Sequence, residues 1–416
     1  MRILFVVPYV PNLIRVRPYN FIRYLAERGH EITLATVWSE EHELDSLKSL
    51  EAISEGVHAV RLPVWRSFLN CARALPTREP LQAVYSWQPE LARQIQRLAA
   101  GKNGTSPVDV VHVEHLRGVR YGLALKNWLA ARSPGVPVVW DSVDSISLLF
   151  RQAVVKGGNP LGRRLRRFEL GRTERYEGWL VGQFEQVLVT SPADKQALDS
   201  LSSATGAGDR VRVLRNGVDL DYFQPGDSTK RESNTIVLSG KMSYHANVAM
   251  ATHFVREIMP RVWNARPDVK ILIVGKDPAR EVQALGEHPG VTVTGTVEDV
   301  RPYLQSAAIA AAPIQYGAGI QNKVLEAMAS AAPVVAAPQA VSALDVVPGR
   351  DVQVAGEPSM FAQALLNLLD DPSRRERLGS AGRTYVEENH DWRVVAGKLE
   401  EVYQQAVTAK AANRMN

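Results

Sequence analysis

The sequence holds one cysteine, Cys71, in 416 residues. A lone thiol excludes an internal disulfide framework and suits a reducing cytosol. Long apolar runs are also missing: the segment Ala307–Ile314 falls far short of the roughly 18 residues that a membrane span needs. The opening stretch Met1–Val10 has an apolar run too brief for a secretory leader. It lacks a small-residue cleavage site, and Arg15 and Arg17 follow at once, so it reads as a first β-strand. There is no internal repeat and no low-complexity tract. No strong charge of one sign is present either: the formal charge is +5 and the pI about 9.2. This balance leaves room for anionic small molecules or an anionic membrane surface. No recognised nucleic-acid motif or interleaved aromatic–basic patch is present, so no nucleic-acid partner is expected.

What is there is a recurring alternation of strand and helix. Ile3–Pro8 is a continuous apolar run, as expected for a strand buried on both faces of a parallel sheet. Helix Tyr19–Arg28 and strand Ile32–Thr36 follow. The pattern continues through strand His58–Leu62, helix Pro89–Ala99, strand Val108–Val113, helix Tyr121–Ala131 and strand Val138–Trp140. Strand Val187–Thr190, helix Pro192–Leu201 and strand Val211–Leu214 close the first series, a doubly wound α/β domain over residues 1–222. Polar, aperiodic residues 223–234 read as a linker. A second series spans 235–390, with strands Thr235–Ser239, Lys270–Val274, Val291–Thr294, Ile309–Pro313 and Pro333–Ala336 and a helix over Ala246–Trp263. Residues 391–416 read as a terminal helix returning toward the first domain. The expected architecture is α/β, two Rossmann-like domains facing across a cleft.

Such domains place ligands at the carboxyl ends of their strands. In the first domain those ends are Pro8–Arg17, Glu114–Arg117 and Asp141–Ser147. In the second, Gly240, Gly275, Gly295 and Gly319 each stand just past a strand, with Lys241 and Lys323 nearby. Glycines at a strand-to-helix turn leave backbone N–H groups open to a phosphate, and a lysine adds a point charge. Ile320, Val324 and Met328 recur at helical spacing on a buried face. Glu326, acceptor-only when ionised, suits two ribose hydroxyls. The same residues would equally make a Gly-punctuated turn before an ordinary surface helix. Helix Pro160–Leu180 carries an apolar stripe of Leu161, Leu165, Phe168, Tyr176 and Trp179. Its remainder is crowded with arginines, offset by Glu169, Glu174 and Glu177. Arg163–Arg175 is therefore either a face for anionic lipid headgroups or a solvated charged face.

Asn216–Pro225, Gly240-Lys241, Ile271–Gly275, Val291–Val297 and Gly319…Lys323…Glu326-Ala-Met, followed by Pro333-Val-Val, resemble the retaining GT-B glycosyltransferases (glycosyl transferases group 1). The likeness is to their exopolysaccharide-type sugar transferases. It covers nearly the whole chain and is specific in residues 211–340. It implies a GT-B enzyme that moves a sugar from a nucleoside-diphosphate sugar to a glycan or lipid-linked acceptor, with retention. It also implies that no metal or other cofactor is required, and a cytoplasmic protein, peripheral at the inner membrane face. Glu326 matches the second carboxylate of the family's Glu-x7-Glu pair, which holds the ribose. Gly319, Ile320 and Gln321 would offer backbone amides to the diphosphate and sugar, and Lys241 and Lys323 would neutralise it. Val297 lies where the family meets the base. Ala318 departs from the pattern by replacing the first carboxylate, so sugar identity does not carry over. In the first domain Glu114 replaces the second histidine of the family's His-x-His. His115 or Glu114 would contact the donor sugar or the acceptor hydroxyl, unless His115 only packs or caps. Asp141 would face the cleft as a catalytic group or else cap the following helix. Arg15, Arg17 and Asp144 would meet the acceptor. A nucleotide-sugar epimerase or hydrolase on the same fold, or a non-catalytic nucleotide-sugar-binding protein, are the alternatives.

Overall fold

The computed structural model describes residues 1–12, 15–100, 108–133, 135–155, 160–202, 210–227, 230–316 and 320–415, of which 153–155, 160–166 and 413–415 are described by backbone alone. The chain divides into two compact units, Met1–Arg215 with Val395–Asn416, and Asn216–Val394.

The first unit is built on seven strands: β1 (Arg2–Val7), β2 (Glu31–Trp38), β3 (Gly56–Arg61), β4 (Val110–Glu114), β5 (Val138–Val143), β6 (Gln186–Val189) and β7 (Val211–Val213). They lie in the order β3-β2-β1-β4-β5-β6-β7. Every pairing is parallel, with Ile3 beside both Ile32 and Val110. Burial explains the apolar runs: five of the six residues of β1 and all of β4 are inaccessible, because helices cover both faces of a parallel sheet. Strand order reverses between β1 and β4, which opens a crevice at their carboxyl ends. The terminal helix belongs to this unit, with Leu399, Val402, Tyr403 and Ala406 buried.

The second unit repeats the scheme with β8 (Glu232–Ser239), β9 (Lys270–Val274), β10 (Val291–Gly295), β11 (Ala307–Ala312), β12 (Val334–Ala336) and β13 (Gln353–Val354). The order is β10-β9-β8-β11-β12-β13, again parallel and with its reversal between β8 and β11. The central strand β11 is Ala-Ala-Ile-Ala-Ala-Ala and wholly buried; small side chains let the covering helices approach the sheet closely.

The helix expected over Ala246–Trp263 is broken into His245–His253, a π-helical turn Phe254–Ile258 and Met259–Ala265. Pro260 lacks an N–H to continue the α-ladder, and the wider turn absorbs the misfit. Residues 216–222, expected in the first domain, belong to the second unit. The Val218 N–H donates to the His390 carbonyl at 2.7 Å, and His390 Nδ1 lies 2.8 Å from the Asn216 carbonyl.

Candidate functional site

At the carboxyl ends of β8, β9 and β10 the backbone closes into a tight knot. Gly275 has φ +154, and a Cβ there would stand 1.7 Å from the Gly240 carbonyl oxygen. Gly240 has φ +143, and a Cβ there would meet Asn247 Nδ2 at 2.9 Å and Lys323 Cε at 3.2 Å. Both positions require glycine, because the chain turns through conformations that a side chain disfavours and the space is already filled. The Gly240 N–H donates to the Val274 carbonyl and the Gly275 N–H to the Gly295 carbonyl. Three of the four expected glycines thus come together. Gly319, with Gly317 and Ala318, lies outside the described residues.

Helix Asn322–Ala329 starts beside this knot, with Gln321 at its cap position. Ile320 precedes it, partly buried against the core of the unit. Lys323 reaches back across the glycines: its Nζ donates to Asn247 Oδ1 at 2.8 Å and lies 3.4 Å from Gln321 Oε1. Both partners are neutral amides, so the ammonium is oriented without its charge being cancelled. Burial pushes its pKa down to about 8, with Glu326 opposing the shift. Glu326 sits one turn further along, and burial pushes it up to about 7 against the pull of Lys323. Among the described residues its carboxylate has no hydrogen-bond donor, which is what a ligand bearing hydroxyls would supply.

Lys241 is exposed, and its carbonyl accepts from Asn247 Nδ2 at 2.9 Å. Val297 packs partly buried against the core. Asn247 was missed by sequence reasoning, where it is one polar residue inside an apolar helical pattern. Its amide bonds the Lys241 backbone with one end and the Lys323 side chain with the other.

In the first unit, Glu114 and Asp141 lie at the ends of neighbouring strands and are completely buried. Asp141 is clamped by Arg17, whose Nε donates at 2.7 Å and whose second nitrogen donates at 3.2 Å. A third nitrogen of Arg17 donates to the Leu214 carbonyl at 3.0 Å. Arg17, expected to reach an acceptor phosphate, is instead buried and committed to this internal pair. Its guanidinium thus supplies a positive charge beside His112, Glu114 and Asp141, from each of which one nitrogen or oxygen atom lies within 4.8 Å of the others. His112 Nε2 is 3.4 Å from Glu114 and 3.8 Å from Asp141, and His112 Nδ1 is 2.8 Å from the hydroxyl of Tyr403. Tyr9 donates to Glu114 at 3.1 Å. Burial raises the Glu114 pKa. Tyr9, His112 and Tyr403 come from distant segments, and no local pattern announces their meeting.

His115 is a strained residue of this region, with φ 61; a non-glycine residue held there costs of order 1 kcal/mol and commonly marks function. Its Nδ1 accepts the Arg117 N–H at 3.2 Å, which places the ring proton on Nε2. Burial depresses its pKa to about 3, so the ring is neutral and offers an N–H donor. Val143 has φ 67 at the end of β5. Asp144 follows, accepts from Thr190 Oγ1 at 3.1 Å, and is raised to about 6 by burial. The cap of the next helix is Glu177 rather than Asp141: it accepts from the N–H groups of Ile146 and Ser147 at 2.8 and 3.2 Å. Arg15 is exposed, 3.3 Å from Glu43 and over the Tyr9 ring.

On helix Pro160–Val181, Arg167 and Arg175 are exposed, while Arg172 is buried and donates to the carbonyls of Ala74 and Thr77 at 2.6 and 2.8 Å. Phe168 and Trp179, expected on the inward stripe, are exposed. The side chains of Arg163, Arg164 and Arg166 lie outside the described residues. No helix among the described residues is long and apolar enough to cross a membrane.

Two family profiles match the chain: a glycosyl transferase 4-like domain over residues 14–217 and glycosyl transferases group 1 over residues 233–371. Among curated proteins, the chain is 28% identical to the GDP-mannose-dependent monoacylated α-(1-6)-phosphatidylinositol monomannoside mannosyltransferase of Corynebacterium glutamicum, over 53% of this chain and 62% of that protein. It is 33% identical to the phosphatidyl-myo-inositol mannosyltransferase of Mycobacterium leprae, over 54% of this chain and 60% of that protein. The match to the D-inositol 3-phosphate glycosyltransferase of Xylanimonas cellulosilytica is 28% identical and covers 73% of both. The chain thus spans about three fifths of the length of the first two relatives. Among solved structures, HepE of Anabaena in complex with UDP and glucose superposes with a TM-score of 0.66 at 14% identity, covering 97% of this chain and all of that one. Sucrose-phosphate synthase from Thermosynechococcus elongatus gives 0.65 at 15% identity, over 98% of this chain and all of that one. These two likenesses bear on the fold, which is GT-B with two parallel-sheet Rossmann-like domains.

Proposed function

We propose, for a chain that belongs to the glycosyl transferases group 1 family, that it moves a sugar from a nucleoside-diphosphate sugar to a glycan or lipid-linked acceptor. The observation that carries this reading is the convergence of the Gly240–Gly275 knot, uncancelled Lys323 and donor-poor Glu326 at the strand ends of one unit. Each part suits a different portion of the donor. The glycines let the strand ends close on one another, which sets Lys323 and the start of helix Asn322–Ala329 together for a diphosphate. Lys323, with Lys241, neutralises the charge that grows on the leaving diphosphate, where preorganised cations lower the barrier most. Glu326 accepts from the ribose hydroxyls, and Val297 lies where the base would rest. In the other unit the neutral His115 offers its Nε2–H to a hydroxyl of the sugar or acceptor. Arg15 and Asp144 remain candidates on the acceptor side, and Asp141 acts through Arg17 rather than on substrate. This reading uses lysines, not a metal or other cofactor, for charge.

Retention at the anomeric carbon, by front-face attack of the acceptor hydroxyl, is part of the proposal. The relatives' names, with phosphatidylinositol and inositol phosphate acceptors, favour a lipid-linked or inositol-bearing acceptor over exopolysaccharide. They also make GDP-mannose the first donor to try.

Calorimetric titration of GDP, UDP, ADP and dTDP into wild type and Glu326→Ala tests the donor site. One nucleotide should bind at micromolar strength and lose at least tenfold in the variant, the worth of about 1.4 kcal/mol of hydrogen bonding. Failure of all four to bind removes the reading. Transfer assays with the matching nucleotide sugar then separate transfer from hydrolysis or epimerisation, which proceed without acceptor, and from binding without turnover.

A further inference from the structure

The second unit holds a basic hollow at the end of its sheet away from the Gly240–Gly275 knot. Arg231 stands just before β8 and Pro333 just before β12, so the hollow opens at the amino ends of the strands. Its volume is about 610 Å³, and Arg231, Arg375 and Arg383 line it together. All three are half-buried. One wall is helix Pro372–Asn389, which presents exposed Ser373 and Ser380. That helix lies hard against the turn at Ala331: a Cβ on Gly379 would stand 2.3 Å from the Ala331 carbonyl oxygen. The wall is therefore fixed in place.

Backbone carbonyls orient each guanidinium. Arg375 donates to the Leu368 and Leu369 carbonyls at 2.7 and 2.8 Å. Arg383 donates to those of Phe223 and Ala329 at 2.7 and 2.6 Å. Arg231 reaches the carbonyls of Leu304, Ala307 and Ser330, each at 2.9 Å. Several of these groups end helices, where a cation is a favourable cap. Capping accounts for part of each fork. Of the five N–H groups on a guanidinium, Arg231 and Arg383 use three and Arg375 two, counting the Arg383 bond to Glu387.

Carbonyls also leave the charge standing. Arg383 is paired with Glu387 at 2.6 Å, whereas Arg231 and Arg375 have no ion-pair partner among the described residues. Glu376 is the one carboxylate among the described residues of the wall. Asp371, nearby, accepts the Arg374 N–H at 2.9 Å as the helix cap. Burial, with no acid to oppose it, pushes the Arg231 pKa down to about 10. Like charges gathered round one space repel until an anion lies between them.

We propose that this hollow binds a phosphate group, free or carried on a small molecule, through Arg231, Arg375 and Arg383, with the hydroxyls of Ser373 and Ser380 beside them. Guanidinium forks match phosphate oxygens in geometry as well as charge. A carboxylate would bring one charge and two oxygens to three guanidiniums; a phosphate brings nearly two charges and three acceptor oxygens. The site is separate from the donor knot, and the inference does not rest on the donor-site reading.

The test is titration calorimetry of the full chain with orthophosphate and with glycerol 3-phosphate, at constant ionic strength. It is run on wild type and on Lys241→Gln/Lys323→Gln, which weakens the donor knot for anions. The lysine variant should still bind phosphate. In that background Ser380→Glu, which sets a carboxylate on the wall of the hollow, should lose at least about tenfold in affinity, and so should Arg375→Gln. Ser380 is exposed, so the midpoint of Ser380→Glu in phosphate-free buffer should not fall; this variant decides the matter even if Arg375→Gln unfolds for want of its carbonyl contacts. Tighter binding of glycerol 3-phosphate identifies the ligand as a phosphate ester, and tighter binding of orthophosphate identifies it as free phosphate. No binding by the lysine variant overturns the proposal and assigns any wild-type signal to the donor knot. Equal binding by Ser380→Glu overturns it too. Failure of nucleoside diphosphates to bind would sink the donor-site reading and leave this result standing.

Discussion

Two residues of the second unit show how local chemistry sets measurable behaviour. Glu326 has its pKa raised to about 7 by burial. A raised carboxyl pKa means that the folded state holds a proton that the unfolded chain has released. The group's contribution to stability is therefore full below its usual value and is lost as pH rises through about 7. Ligand binding runs the other way, since only the ionised carboxylate accepts two hydroxyl donors. Nucleoside diphosphate affinity is expected to rise from about pH 6 toward 7 as Glu326 ionises, before Lys323 loses its charge around 8, and Glu326→Gln should flatten that limb. Titration calorimetry across that range decides it; a wild-type profile as flat as the variant's would remove Glu326 from the ribose. The glycines make a paired prediction. Gly275→Ala puts a methyl 1.7 Å from the Gly240 carbonyl oxygen, whereas Gly295→Ala at φ +70 meets nothing within 4 Å. The second should cost about 1 kcal/mol of backbone strain. The first should cost at least about 2 kcal/mol and displace the knot. Urea unfolding measures both, and nucleotide affinity should fall only for Gly275→Ala.

At the scale of elements, the strands were legible because a parallel sheet buries both faces and leaves unbroken apolar runs. Ile3–Pro8 became β1 (Arg2–Val7), and Lys270–Val274 is β9 to the residue. Helix Val64–Ala74 left no such trace, since its apolar residues face outward and its buried ones are small or polar. Helix Glu43–Glu51 was similarly silent, its buried side reduced to Glu43, Leu47 and Leu50. At the candidate site, glycines after strands were readable as local punctuation. The meeting of Asn247 with Lys323 was not, being a contact across 76 positions. Least visible was the tie between strand β4 and the terminal helix, where Tyr403 meets His112 at a separation of 291. That tie is testable. Tyr403→Phe keeps the ring and strips a buried imidazole nitrogen of its partner, so it should cost about 1–3 kcal/mol in denaturant unfolding. Loss of the hydroxyl with no change in stability would mean that water or a shifted side chain satisfies His112. The cap of helix Ile146–Val155 is a second such tie: Glu177→Ala abandons two N–H groups that it now accepts, and about 1–2 kcal/mol should go with it.

For the whole molecule, each unit has its own apolar core, but only one of the two is continuous along the chain. The first needs residues from both ends of the sequence. Leu399, Val402, Tyr403 and Ala406 of the terminal helix are buried, and Glu400 binds Arg28, the carboxylate 2.7 Å from Nε. The second runs uninterrupted from Asn216 to Val394. Ending the chain at Val394 therefore strips only the first unit. Uncovering the larger of those side chains removes about 1.5–3 kcal/mol each, a large share of the roughly 5–15 kcal/mol by which a domain is held folded. Calorimetry of the shortened chain should show one transition near its full-length temperature and another lowered by at least about 10 °C, or absent. Nucleotide binding should survive, because Gly240, Gly275, Lys323 and Glu326 all belong to the unit left intact. Should both transitions fall together and nucleotide binding vanish, the two units fold as one cooperative body. The donor site would then depend on contacts outside residues 216–394.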